Sequence, residues 1–139
     1  MSLMSRITRT ATATAVAGAA LLALAGTASA NQSAPYIGDG YANNSQAVWC
    51  VQHNLNHFIG ITTRTNRPAP LDEDGIWGPK TKAAVQWLQT DSMVGGQWLQ
   101  ADGIVGPLTG SLIVGDGYPD SVGTSSSPCW QYIPTVEGP

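Results

Sequence analysis

From residue 45 onward the apolar positions fall at helical spacing. In SQAVWCVQHNLNHFIG, steps of about 100° per residue place Val48, Val51, Leu55, Phe58 and Ile59 in one stripe. The stripe predicts a helix with a core-facing side, Ser45 as its N-cap and Gly60 as its stop. Cys50, His53 and His57 fall on the opposite side. A second amphipathic run, PKTKAAVQWLQ from residue 79, collects Thr81, Ala84, Val85 and Leu88 on one face. A third, PLTGSLIVG from residue 107, is short and weakened by Gly110. The remaining stretches carry turn signals rather than a period. These are an irregular lead-in over 31–44, the Pro-containing loop GITTRTNRPAP, and the connector TDSMVGGQWLQA with its Gly-Gly break.

The second and third helices are preceded by the same phrase. LDEDGIWGPKT begins at residue 71 and LQADGIVGPLT begins 28 residues later, with seven of eleven positions identical. In each copy Asp-Gly marks a turn and Ile offers an apolar anchor. Gly-Pro then marks the last non-helical and first helical residues, because Pro is tolerated at a helix start. Thr81 and Thr109 fall in the first helical turn, where a hydroxyl helps satisfy free backbone groups. Each copy therefore reads as a device for starting a helix, and Asp74 and Asp102 as turn formers, rather than as a duplicated phosphate or calcium loop. The expected fold is mostly α: a small three-helix bundle with two repeated DG turns. A shorter echo, IGDGY at 37–41 and VGDGY at 114–118, suggests two flanking turns and carries no chemistry.

Composition adds a compartment. Arg6 and Arg9, the weakly apolar AVAGAALLALAG and the small residues Ala28-Ser29-Ala30 have the order of a secretory signal, with cleavage expected after Ala30. The apolar centre is below the roughly 20 strongly apolar residues of a membrane span. The product, 31–139, retains Arg64, Arg67, Lys80 and Lys82 against nine acidic residues. It lacks the clustered basic surface of a nucleic-acid partner and has no expected membrane contact after signal removal. Export makes a disulfide the natural state of the two cysteines, Cys50 and Cys129. In the chain-entropy model such a staple is worth roughly 4 kcal/mol. It would draw the tail, 115–139, over the outer face of the first helix, where Trp130 and Tyr132 could lie. A domain over 45–114, between lead-in and tail, is the expected organisation.

The pattern V-x-x-V-Q-x-x-L-N (Val48, Val51, Gln52, Leu55, Asn56), then L-x-x-D-G-I-W-G-P-x-T-x-x-A-V-x-x-L-Q (Leu71 to Gln89), then L-x-x-D-G-I-V-G-P-x-T (Leu99 to Thr109) resembles the three-helix peptidoglycan-binding domain. That family serves as a cell-wall targeting module attached to wall hydrolases. The resemblance covers roughly 45–114 and implies a secreted, wall-associated binding module without catalysis of its own or a cofactor. Its partner would be peptidoglycan, through the glycan strand or the stem peptide, and a secreted wall hydrolase is a further partner to consider. Some features depart from the family. Gly110 stands where an aromatic residue usually follows the last motif Thr, the connector is longer, and the cysteine pair is not a family trait. The flanks are too short for a second core, so a free-standing monomeric module is expected. Similar units also occur as prodomains of metallopeptidases, which makes a protein-binding or inhibitory role the alternative.

Candidate chemistry is sparse. His53 and His57 share a helix face with Cys50, and with Cys129 they could form a Cys2His2 zinc site; an oxidised cysteine pair is the competing and favoured reading. The acidic run Asp72-Glu73-Asp74 is the only carboxylate cluster and reads as a solvated loop. No catalytic constellation emerges. Five tryptophans are the better clue, since sugars and peptides dock on aromatic faces. Trp77 occupies the slot of Val105 and reads as core, while Trp49 and Trp130 are placed around the disulfide. Trp98 and Trp87 are the expected exposed stacking faces, with Gln89 and Gln97 as hydrogen-bond partners of the ligand.

Overall fold

In a computed structural model, residues 31–114 and 129–136 are described. The signal segment, residues 115–118 of the second GDGY echo and most of the tail lie outside them. Three helices, α1 (Ser45–Ile61), α2 (Pro79–Gln89) and α3 (Pro107–Val114), account for most of the regular structure, with one short hairpin, β1 (Met93–Val94) and β2 (Gln97–Trp98). Among the described residues no helix is long and apolar enough to cross a membrane.

The stripe on α1 becomes the core as its spacing requires. Val48, Val51, Leu55 and Ile59 are buried with Ala84, Val85 and Leu88 of α2 and Ile113 and Val114 of α3, while Phe58 packs at the margin. Two boundary expectations are corrected. Asn44, one residue before Ser45, is the N-cap, its Oδ1 accepting from the N–H groups of Gln46 at 2.9 Å and Ala47 at 3.2 Å. Gly60 does not stop the helix, which continues to Ile61 and ends at Thr62, whose N–H donates to the Phe58 carbonyl. The Gly-Pro steps behave as expected, since Pro79 and Pro107 each open a helix.

The lead-in is more ordered than its sequence suggests. Ile37 forms an antiparallel bridge with Val105 of the second repeat, and both side chains are buried. The following loop is closed by Asn43, which exchanges two hydrogen bonds with Gly38. Asp39 then accepts from Lys82 Nζ at 2.7 Å and from Trp77 Nε1 at 2.9 Å. Trp77 is accordingly half-buried and polar-tethered, unlike its counterpart Val105, which is fully buried. The connector also gains structure, as Met93 pairs with Trp98 and Val94 with Gln97 across Gly95-Gly96.

Cys50 and Cys129 are joined, with their Cα atoms 5.4 Å apart. The zinc alternative needs both sulfurs as free thiolates, so the disulfide removes it. Cys50 lies on the side of α1 away from the stripe yet is fully buried, because the tail forms a second wall around it with Cys129 and Ile133. Asn31 pins that wall: its Nδ2 donates to the carbonyls of Trp130 and Ile133, and its backbone pairs with Thr135. The tail also crosses α3 at Gly110, where an added Cβ would stand 1.8 Å from the Pro134 carbonyl oxygen. A glycine at position 110 is thus explained by the chain packed upon it. Gly110→Ala is expected to lower stability by about 2 kcal/mol or more, read as a lower urea midpoint. Gly60→Ala, where nothing lies within 4 Å of the new methyl, should be neutral or slightly stabilising. Equal tolerance of the two would show that the tail does not pack on α3.

Candidate functional site

The two repeats are built around two glutamine side chains. Gln52 of α1 is 2% exposed. Its Nε2 reaches Asp74 Oδ1 at 2.9 Å, the Ile76 carbonyl at 3.1 Å and Thr81 Oγ1 at 3.3 Å, while its Oε1 accepts from the Gly75 N–H at 2.8 Å. Gln89 of α2 repeats the arrangement on the second copy. Its Nε2 reaches Asp102 Oδ1 at 3.0 Å, the Ile104 carbonyl at 2.9 Å and Thr109 Oγ1 at 3.0 Å, and its Oε1 accepts from the Gly103 N–H at 2.8 Å. Both glycines are left-handed, with φ of 70° and 75°, which turns their N–H groups towards the amide without a steric cost. The Asp carboxylates also close their own turns by accepting from the N–H groups of Ile76 and Ile104. Thr81 and Thr109 therefore serve as buried acceptors for the glutamines, more than as local caps.

The electrostatics follow from these bonds. The N–H of Ile76, and after it the Gln52 amide, hold Asp74 below the ordinary carboxylate range. Partial burial pushes Glu73 upward, but hydrogen bonds from Asn56 and His53 outweigh it and leave its carboxyl lowered. Lys82 and then Trp77 lower Asp39. The acidic run is thus not simply solvated, since two of its three carboxylates are engaged. His53 lies 2.9 Å from Glu73 and stacks on Trp49, with ring centroids 4.8 Å apart.

A groove of about 580 Å³ opens over the second repeat. Its floor is the Gln89 clasp, with Ile104 and Leu108 on the sides and the rings of Trp98 and Tyr36 at the rim. Trp98 is 68% exposed on β2 and Tyr36 is 43% exposed. The Ile37–Val105 bridge positions Tyr36, whose ring lies 3.3 Å from where a Cβ on Gly106 would be. Asp102 directs Oδ1 into the clasp, and Gln100 is an exposed amide beside it.

The four residues expected to form a binding site do not converge. Trp98 meets the expectation of an exposed aromatic. Gln89 lies beneath it but is 1% exposed and committed to the turn, so it is a framework residue rather than a ligand's hydrogen-bond partner. Gln97 is exposed next to Trp98, yet adjacent strand residues point to opposite faces, and it does not line the groove. Trp87 is half-buried in a separate hollow, edge-on to Phe58 and 5.4 Å from the Arg64 guanidinium. Sequence reasoning missed Tyr36, Gln100 and Leu108. The last two could have been found by reading the repeat outward, whereas Tyr36 depends on the bridge between Ile37 and Val105, residues too far apart in sequence for any local pattern. In comparisons with protein-family models, curated proteins and solved structures, nothing matches this chain.

Two expectations follow for stability. Gln89→Ala strands the buried Gly103 N–H and Thr109 hydroxyl and should cost about 2–4 kcal/mol in urea unfolding. A loss below about 0.5 kcal/mol would mean the clasp is ornamental. Carboxylates lowered in the folded state stabilise above their unfolded pKa of about 4 and lose that contribution as pH falls through the folded value. The urea midpoint should therefore be flat above about pH 5 and fall between about pH 4 and 2, with a shallower fall in Glu73→Gln.

Proposed function

We propose that this chain is an exported, non-catalytic module of the three-helix peptidoglycan-binding type, and that it holds cell-wall polymer in the groove over the second repeat. The observation that carries this reading is the pair of exposed rings, Trp98 and Tyr36, at the rim of a groove whose floor is the hydrogen-bonded Gln89 clasp. Stacking of a sugar ring on Trp98 supplies apolar contact, while Gln100 and Asp102 supply hydrogen bonds that orient its hydroxyls. Export is supported by the disulfide and by the way Asn31, the first residue after the expected cleavage point, is tied into the tail. The net negative charge of 31–139 means that attraction to anionic wall polymer is not part of the mechanism.

The same exposed surface supports protein binding as a second reading, because Met93 and Trp98, paired across the hairpin, are both exposed apolar side chains. Pelleting with isolated sacculi separates the two. The purified protein should co-sediment, the bound fraction should survive moderate salt, and Trp98→Ala should weaken binding about tenfold. Protein left in the supernatant, with a stoichiometric protein partner captured instead, would establish the second reading and refute the first.

A further inference from the structure

The sequence repeat makes two grooves, not one. Over the first copy lies a second hollow of about 430 Å³, and the residues that line it correspond one for one to residues of the larger groove. Leu71, Asp72, Ile76, Pro79 and Lys80 stand where the second copy has Leu99, Gln100, Ile104, Pro107 and Leu108, and Gln52 forms the floor as Gln89 does. The correspondence follows from the two clasps, which impose one backbone path on both copies. What differs is the covering and the charge. Ile104 is half-buried and lies 3.3 Å from where a Cβ on Gly38 of the lead-in would be, whereas Ile76 is 67% exposed. Among the described residues the first groove has no aromatic rim, and beside the Asp that both grooves share it carries Asp72 and Lys80 where the second has Gln100 and Leu108. Asp39, Glu73 and Lys82 have charged or histidine partners, while Asp72 and Lys80 form no ion pair among the described residues.

The geometry points to the first-repeat groove as a second subsite that takes a short peptide bearing a free ammonium and a free carboxylate, as distinct from the sugar held over the second repeat. An apolar wall of Leu71, Ile76 and Pro79 between Asp72 and Lys80 is complementary to an aliphatic segment flanked by opposite charges. A sugar is the poorer fit because none of the described lining residues offers a ring for it to stack on. This assignment rests on the wall-binding reading, and would let one polymer engage both repeats, with glycan in one groove and stem peptide in the other.

The test uses two soluble probes, an N-acetylglucosamine oligomer and a stem tetrapeptide with its diamino-acid amine free, titrated into the purified protein by NMR. The peptide should shift the amide resonances of Leu71 to Thr81 and leave Leu99 to Thr109 in place, and the oligomer should do the reverse. Asp72→Asn combined with Lys80→Gln, both at exposed positions, should weaken the peptide about tenfold and leave the oligomer unchanged. Trp98→Ala should weaken the oligomer alone. If sacculi bind but the peptide shifts neither groove or only the second, or the oligomer occupies the first, the peptide subsite is overturned and wall binding stands. If sacculi and both probes fail to bind, both are overturned.

Discussion

The carboxamides of Gln52 and Gln89 hold the domain at its two turning points. Each buried amide presents a donor and an acceptor at once, and each turn offers the complement: a glycine N–H to the oxygen, and a carboxylate, a carbonyl and a hydroxyl to the nitrogen. No other side chain of this length serves. Glutamate lacks the donor and would face an aspartate, and asparagine is one methylene shorter. Because an unpaired buried amide costs more than a formed hydrogen bond returns, the clasp closes only when helix and turn are both in place. On α1 Asn56 adds a second clip one turn later, accepting from the Leu71 N–H at 2.6 Å and donating to the Leu71 carbonyl at 2.9 Å.

Much of this was legible beforehand, for reasons that can be assigned residue by residue. The apolar stripe of α1 and the Gly78-Pro79 and Gly106-Pro107 helix starts are local signals of period and backbone angle. The disulfide was legible because the sequence has two cysteines behind a stretch that reads as a secretory signal, and two cysteines leave one intramolecular pairing. What escaped depends on distant contacts. Nothing near Gln89 distinguishes a buried clasp from an exposed polar residue at the end of an amphipathic helix, so its role emerges only when the Asp102 turn folds back upon it. The lead-in has no period, and its order comes from Val105 and Lys82. The hairpin strands are two residues each, too short to show alternation. Gly110 read as a weakness in a helix and is instead the opening through which Pro134 passes.

The same constraint organises the surface. Two matching clasps produce two troughs with corresponding linings, and what each can hold is then decided by its covering. Tyr36 from the lead-in, Trp98 from the hairpin and Val136 from the tail gather on the second trough, while the first keeps an exposed Ile76 between Asp72 and Lys80. The hairpin connector and the tail that crosses α3 at Gly110 both bring chain to the second trough or to the helix beside it. The repeat is thus a scaffold element whose two copies differ in their coverings.

Native-state hydrogen exchange at two amides tests the clasp most directly. The N–H groups of Gly75 and Gly103 sit in turns, where amides ordinarily exchange fast, yet each donates to a buried glutamine oxygen at 2.8 Å. Both should be protected to nearly the level of the core helices, and Gln52→Ala should release Gly75 while Gln89→Ala releases Gly103. Exchange of either glycine at the rate of the exposed Asp39-Gly40 loop in the unsubstituted protein would contradict the clasp as the interaction that organises the domain.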